Sequence, residues 1–458
     1  MRNWLFIFAC LWVTCIASKP EGKFVLTGVC IPGEMVSLQQ NQTGRVEVVV
    51  SVKADDTGKF RLEYPCQSME LFYISTLTSN KLVPLVVRPG EQIDMDLTGQ
   101  EIVWQGDGVN RHKFVQEFQQ QKQKWNALYQ ANITDIANYR QMLQSKYEAS
   151  RHYLENTVSP EEDVRGLLKA QTILDYYGGI LNYPFFYQLV AGKVAELPED
   201  YYVVLKDVDI SSPYLKYLGN SCSFLQDYFT ALEGQGYLKA GKDDYLLKRA
   251  ELIKDAGLRE DYLLYVVSHV ELFGYNQYLG NQLERMRHWI VSPNGRSEFD
   301  EMNRKYAEGV QENQRLNAGQ DAFDFTGVDV NGKVHRLSDY KGKVVVVDVW
   351  NLGCKPCIAE IPYLKNLEKQ FAGKQVVFIS YALDKQVESW KHFLQSHQME
   401  GNQWINTETF KSDFARDYHV RFIPRFMVFG KNGKIMEVYA PRPSNSRLAQ
   451  LIEEELNK

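Results

Sequence analysis

Residues 344–362 read VVVVDVWNLGCKPCIAEIP. The valine run from 344 to 349, broken only by Asp348, has the composition of a strand buried on both faces. A short turn follows, and a helix is expected from about residue 356. Pro356 suits the first helical turn, where its missing N–H costs nothing. The spacing therefore places Cys354-Lys355-Pro356-Cys357 at the junction of a buried strand and a helix N-terminus. A thiol there faces unpaired N–H groups and the positive end of the helix dipole, and both favour the thiolate. Cys354 reads as the exposed nucleophile. Cys357, one turn further in, is placed to attack a mixed disulfide. Lys355 adds a nearby positive charge, weakened by solvent screening.

Two other readings of the pair explain less. A structural zinc site takes four ligands, usually as two close pairs. The other cysteines of the chain stand alone, and no His-x-x-His-like pair answers Cys354 and Cys357. A purely structural disulfide would close a tiny loop and restrict the unfolded chain very little. No metal and no cofactor is expected.

Two carboxylates stand near the dithiol. Asp348 lies in the apolar strand, where a lone acid is costly without a task or a partner. It reads as a proton acceptor for Cys357 with a raised pKa, or as a strand-end acid that reaches water. Glu360 lies three residues after Cys357 on the same helical face. It reads as a proton relay, or as a solvating residue of the helix.

Outward from this stretch, residues 319–458 alternate strands with helices, the pattern of an α/β sheet covered on both faces. A hairpin is expected around Asn331-Gly332. After the dithiol helix come a strand QVVFIS, helices around Trp390 and Phe414, strands PRFMVFG and KIMEVYA, and a closing helix. Residues 109–318 carry apolar residues at helical spacing, such as Cys222, Leu225, Phe229 and Leu232, and read as an all-α region. Residues 19–108 hold short β-rich runs broken by Gly, Pro, Asn and Asp, and read as a small antiparallel β-sandwich. In RVEVVVSV the residues Val46, Val48, Val50 and Val52 are expected on one buried face.

The chain opens with Arg2, an apolar run from Trp4 to Ala17, and small residues Ala17 and Ser18. That run is too short to span a bilayer and fits a secretory signal peptide over residues 1–18. Cys15 raises lipid attachment as a second route, and membrane contact is expected only by that route. Export permits disulfides. The cysteines beyond the signal are Cys30, Cys66, Cys222, Cys354 and Cys357, an odd number, so this is no disulfide-stapled scaffold. Cys30 and Cys66 flank strands of one small domain and are candidates to pair. Net charge is −5, mixed along the chain and without a basic stripe, which argues against a nucleic-acid partner.

The segment 319–458 resembles the thioredoxin superfamily, and within it the TlpA/ResA-like thiol–disulfide oxidoreductases. The lead-in NGK…LSDYKGK (331–343), Asp348 six residues before Cys354, CKPC, AEIP (359–362) and VRFIPRFMVFGKNGKI (420–435) carry the likeness. It implies a cis Pro424 facing the dithiol, with Ile423 offering its backbone to an extended substrate. Glu360 falls on the family's acidic active-site residue. Lys355, Pro356, Ile423 and Pro424 are thus the residues expected to meet substrate. The implied partners are protein thiols or disulfides of the cell envelope or periplasm, with an upstream electron donor in the membrane. Cytochrome c-type biogenesis enters by resemblance only. Gly353 and Arg425 depart from the pattern, which usually has tryptophan before the first cysteine and threonine after the proline. The peroxidase branch uses Pro-x-x-x-Thr-x-x-Cys, absent before Cys354. A peroxiredoxin-like thiol peroxidase is one alternative. The other is an envelope binding protein whose thioredoxin-like domain senses redox state. The first two regions are similar to the β-domain and helical insert ahead of such domains in some Gram-negative envelope proteins.

Overall fold

The computed structural model describes residues 22–42, 45–191, 195–239, 241, 244–268 and 277–458. The expected signal peptide and Cys15 lie outside the described residues. Among those described, no helix is long and apolar enough to cross a membrane. The chain divides into two compact units, one reaching to Gln123 and taking in Thr157–Leu168, the other comprising Lys124–Asn156 and Lys169–Lys458.

The first unit holds β1 (Lys23–Val29), β2 (Met35–Gln42), β3 (Arg45–Lys53), β4 (Lys59–Pro65), β5 (Glu70–Thr76), β6 (Leu82–Val87), β7 (Gln92–Asp96) and β8 (Val103–Gly106). They form two four-stranded sheets, ordered β4-β1-β7-β8 and β3-β2-β5-β6. Phe24, Leu26, Val36, Phe60, Phe72 and Ile93, drawn from both sheets, share one core. Pairing is antiparallel except between β1 and β7, which run parallel. The expected all-antiparallel sandwich is corrected there. Between these strands the chain passes through the other sheet twice, with β4 back in this one, before β7 runs alongside β1.

The expected valine stripe on β3 is also corrected. The register slips between Leu38 and Gln39, whose partners are Val50 and Val48, so Val49 is an extra residue on β3. One inserted residue reverses the faces beyond it. Val50 and Val52 pack on the core with Val49, while Val46 and Val48 are 48% and 58% exposed. Cys30 and Cys66 are both buried in this unit and both free, so the candidate pairing does not form.

Residues 109–318 hold only helices and turns among the described residues. The helices are α1 (Val109–Leu128), α2 (Ile136–Asn156), α3 (Glu162–Ala191), α4 (Ser221–Gly234), α5 (Tyr245–Leu252), α6 (Ala256–Ser268), α7 (Gln277–Met286) and α8 (Pro293–Glu312). On α4 the stripe Cys222, Leu225, Phe229 and Leu232 is buried as expected.

The C-terminal part of the second unit runs β9 (Thr326–Asp329), β10 (Val334–Arg336), β11 (Val344–Trp350), α9 (Lys355–Gln370), β12 (Val376–Leu383), α10 (Val387–Ser396), β13 (Asn402–Asn406), α11 (Asp413–Asp417), β14 (Arg425–Phe429), β15 (Ile435–Ala440) and α12 (Ser446–Leu456). Its seven strands are ordered β10-β9-β13-β12-β11-β14-β15. β13 is absent from the sequence reading. Its residues NQWIN are short and polar at both ends, and pairing between β12 and β9 makes them a strand.

β11 is buried along its whole length, with β12 parallel on one side and β14 antiparallel on the other. Its odd-numbered valines 345, 347 and 349 pack with Tyr381, Phe414 and Tyr418. Val344 and Val346, on the other face, pack with Leu367 and Phe371 at the end of α9 and with Leu448 and Ile452 of α12. Trp350, on that same face, clusters with Cys357 and with Trp390 of α10. α9 therefore lies across the face that carries Asp348.

Candidate active site

Asn351 shapes the turn after β11. Its side-chain oxygen accepts from the Gly353 N–H at 3.0 Å, and its carbonyl accepts from the Cys354 N–H at 3.2 Å. The Leu352 N–H is held by Asp384 at 3.1 Å. These bonds deliver Cys354 to the N-cap of α9, where its sulfur accepts from the Cys357 N–H at 3.2 Å. A cap with a sulfur acceptor satisfies one of the helix's otherwise unpaired N–H groups. Cys354 and Cys357 are joined as a disulfide, with Cα atoms 5.2 Å apart. Cys354 is half-buried and Cys357 only 2% exposed. Lys355 and Pro356 are both exposed at the first turn, with Pro356 at the start of the helix as its chemistry favours.

The three other described cysteines offer no rival site. Burial raises the thiol pKa of each, that of Cys66 to about 12. Buried, protonated thiols are poor nucleophiles. No group of three or more His, Cys, Asp or Glu side chains that could hold a metal ion occurs among the described residues.

Asp348 is 4% exposed. Its register neighbours are Ser380 on β12 and Phe426 on β14. Burial first, and then the nearby carboxyls of Glu360 and Glu368, push its pKa well above the usual aspartate range. Of the two sequence readings, the strand-end acid reaching water does not fit a residue this buried. Glu360 is 7% exposed. Burial raises its pKa, while two hydrogen bonds from Ser444 and the Arg442 charge pull the other way. Glu360 also does not project into solvent. The structure thus buries Asp348 on β11 and both Cys357 and Glu360 on α9, with the Asp348 and Glu360 carboxyls close enough to interact.

Ile423-Pro424 is a cis peptide bond. Ile423 packs in the same cluster as Cys354, Cys357 and Trp350. Trp350, three residues before Gly353, is buried against Phe393 with ring centroids 5.3 Å apart. Arg425, the other departure, is 2% exposed. Its guanidinium lies 3.3 Å from the ring centroid of Tyr439 and bonds to the carbonyls of Val438 and Tyr418. It turns into the fold, away from a threonine's role.

Sequence reasoning missed two residues at this site. Ser444 donates its N–H to one oxygen of Glu360 at 3.0 Å and its hydroxyl to the other at 2.9 Å. It stands 84 residues away in the loop between β15 and α12, and no local pattern marks it. Gln188 of α3 donates its amide to the carbonyl of Ala359. Pro362 lies inside α9 and removes an N–H from the ladder nearby, a local signal that α9 would need outside partners.

The Redoxin family model matches residues 317–452. The chain is 25% identical over 139 residues to the thiol-disulfide oxidoreductase ResA of Bacillus thuringiensis subsp. konkukian, spanning 30% of this chain and 79% of that protein. ResA of Bacillus subtilis is 29% identical over 125 residues, spanning 27% of this chain and 68% of its own. Among solved structures, the thioredoxin domain of a thiol-disulfide oxidoreductase from Bacteroides vulgatus is 29% identical, covering 31% of this chain and 99% of that one at a TM-score of 0.29. The dithiol at the head of α9, the sheet behind it and these sequence relatives agree: the C-terminal region is a TlpA/ResA-like member of the thioredoxin superfamily, and the chain is a thiol–disulfide oxidoreductase.

Proposed function

We propose that the protein is exported and reduces protein disulfides in the cell envelope, with Cys354 as nucleophile and Cys357 as resolving thiol. The observation that carries this is the asymmetry of the pair: Cys354 is half-buried at the helix cap and Cys357 is 2% exposed one turn inward. The Cys354 thiolate attacks one sulfur of a client disulfide, forming a mixed disulfide and releasing the other client sulfur as thiolate. Cys357 gives its proton to a carboxylate, and its sulfur attacks Cys354. The second client sulfur leaves, and the Cys354–Cys357 disulfide remains. Two electrons have passed to the client; the carboxyl returns the Cys357 proton to one released sulfur, and the other takes a proton from water. A dithiol donor, reached through the membrane, then restores the reduced pair.

Asp348 serves as proton acceptor for Cys357, and Glu360 assists it. A buried acid whose pKa is raised holds a proton more readily than an ordinary carboxylate, as a proton acceptor must. Ile423 and Pro424 dock the substrate backbone, with Lys355 and Pro356 at the rim. The domain boundaries 19–108, 109–318 and 319–458 belong to this reading, as does the β-sandwich description of the first.

Reduction of insulin disulfides by the full chain, recharged with dithiothreitol, tests the activity. No turnover above the reagent alone would sink the proposal. Export is tested by the N-terminus of the protein from its native cell. It should begin after Ala17 or Ser18, as the signal pattern predicts. A cytosolic chain that retains Met1 overturns that part.

A further inference from the structure

The hydrogen-bonding of Glu360 is stronger than a solvating helix residue needs. Both of its oxygens are engaged by one residue, Ser444, through backbone N–H and hydroxyl. The contact joins α9 to the loop that leads into α12, and Glu360 is buried while making it. Two donors on the carboxylate favour its charged form and fix its orientation, against the burial that raises its pKa. Glu360 and Cys357 are three apart on one helix and both buried, so a fixed Glu360 is a fixed neighbour of the resolving thiol.

We propose that Ser444 is a positioning residue of the dithiol site, holding the Glu360 carboxylate in the pose from which it assists proton transfer from Cys357. This inference rests on the reading of Glu360 given above. The charged and titratable groups facing Glu360 are Arg442 from the same loop, Asp348 from β11 and Tyr363 from α9 itself. Arg442 and both Ser444 bonds favour the ionised form, whereas Asp348 opposes it when charged. Arg442 also faces Asp227 of α4, so its charge is shared with the helical region.

The test is the pH profile of insulin-disulfide reduction by the full chain, in wild type and in Glu360→Gln, Ser444→Ala, Ser444→Thr and Arg442→Gln. Glu360→Gln should remove one limb of the wild-type profile. Ser444→Ala should move that limb up by roughly one pH unit, since a hydrogen bond to a charged group is lost. Ser444→Thr keeps a hydroxyl and should restore it. Arg442→Gln, at an exposed position, should shift the limb in the same direction by less. A general loss of fold would lower the whole profile without moving a limb, and threonine would not rescue it. If the wild type turns over but Glu360→Gln leaves every limb in place, the role of Glu360 falls and the inference with it. If Glu360→Gln removes a limb and Ser444→Ala does not move it, the inference alone is overturned. A wild type without turnover overturns the proposed activity itself.

Discussion

Two sets of buried charge distinguish the N-terminal unit from the thioredoxin-like region. In the first, Arg111 is 1% exposed. Its guanidinium donates to both oxygens of Glu91 at 2.6 Å and to both of Glu161 at 3.0 and 3.2 Å, and its Nε donates to the Val86 carbonyl at 3.0 Å. Arg88 adds contacts to Glu161 and Asp163. Opposite signs meet, and the main donors have acceptors. In the second, Asp348, Glu360 and Glu368 gather with like sign, and all three have raised pKa values. A buried charge with its full complement of partners fixes local architecture. Burial raises the pKa values of all three acids, and for Asp348 the neighbouring carboxyls add to it, the direction in which a fold acquires acid–base chemistry.

The largest effect should come from the dithiol of the thioredoxin-like region. Cys354→Ser should lower insulin reduction to background and trap little client. Cys357→Ser should accumulate a mixed disulfide on Cys354, seen as a heavier band on a non-reducing gel and lost on reduction. Mass spectrometry locates the bond. A client attached to Cys357 in the Cys354→Ser variant, with none on Cys354 in the other, reverses the assignment.

Next in size is the paired cluster. Arg111→Met leaves the buried Glu91 carboxylate without its counter-charge and should cost about 3–5 kcal/mol. Urea unfolding of the N-terminal transition measures it. The insulin-reduction rate under native conditions should stay near wild type. If stability is unchanged and the rate collapses instead, the division between architectural and chemical charge is wrong.

Asp348→Asn should show the reverse. Exchange at neutral pH should slow by about 10²-fold, the low end for loss of a proton acceptor. The fold should tolerate the change, because burial already disfavours the charged carboxylate. The pH dependence of stability gives a second, smaller readout. A carboxyl whose folded pKa is raised binds more protons when folded than when unfolded. Its contribution is complete below the ordinary aspartate pKa of about 3.9 and is lost as pH rises through the folded value. Wild type should lose stability across that window, and Asp348→Asn should lose less. A variant that turns over at the wild-type rate makes Asp348 structural.

Much of this site is written locally. The valine run, Pro356 at the first helical turn and Cys-x-x-Cys fix strand, turn and helix within 19 residues, because each depends on neighbours in the chain. The lone Asp348 in an apolar strand announced itself by its cost. β13 did not, since its strand character comes from the partners on either side of it. Nor did the bulge at Val49, which depends on how β2 and β3 align.

The sequence by itself determined which elements carry the candidate groups: Cys354 at a helix cap, Cys357 a turn inside, and Asp348 in the strand before them. Tertiary structure alone decided how those groups are conditioned. It left Cys30 and Cys66 as separate buried thiols. It turned Arg425 inward against Tyr439. It brought Ser444 across 84 residues to hold Glu360, and Gln188 across 171 to the carbonyl of Ala359. The reason is range. Helix capping and strand burial depend on nearby residues and on hydrophobic pattern. Desolvation and hydrogen-bond partners depend on whichever distant segments the packed core places against the group.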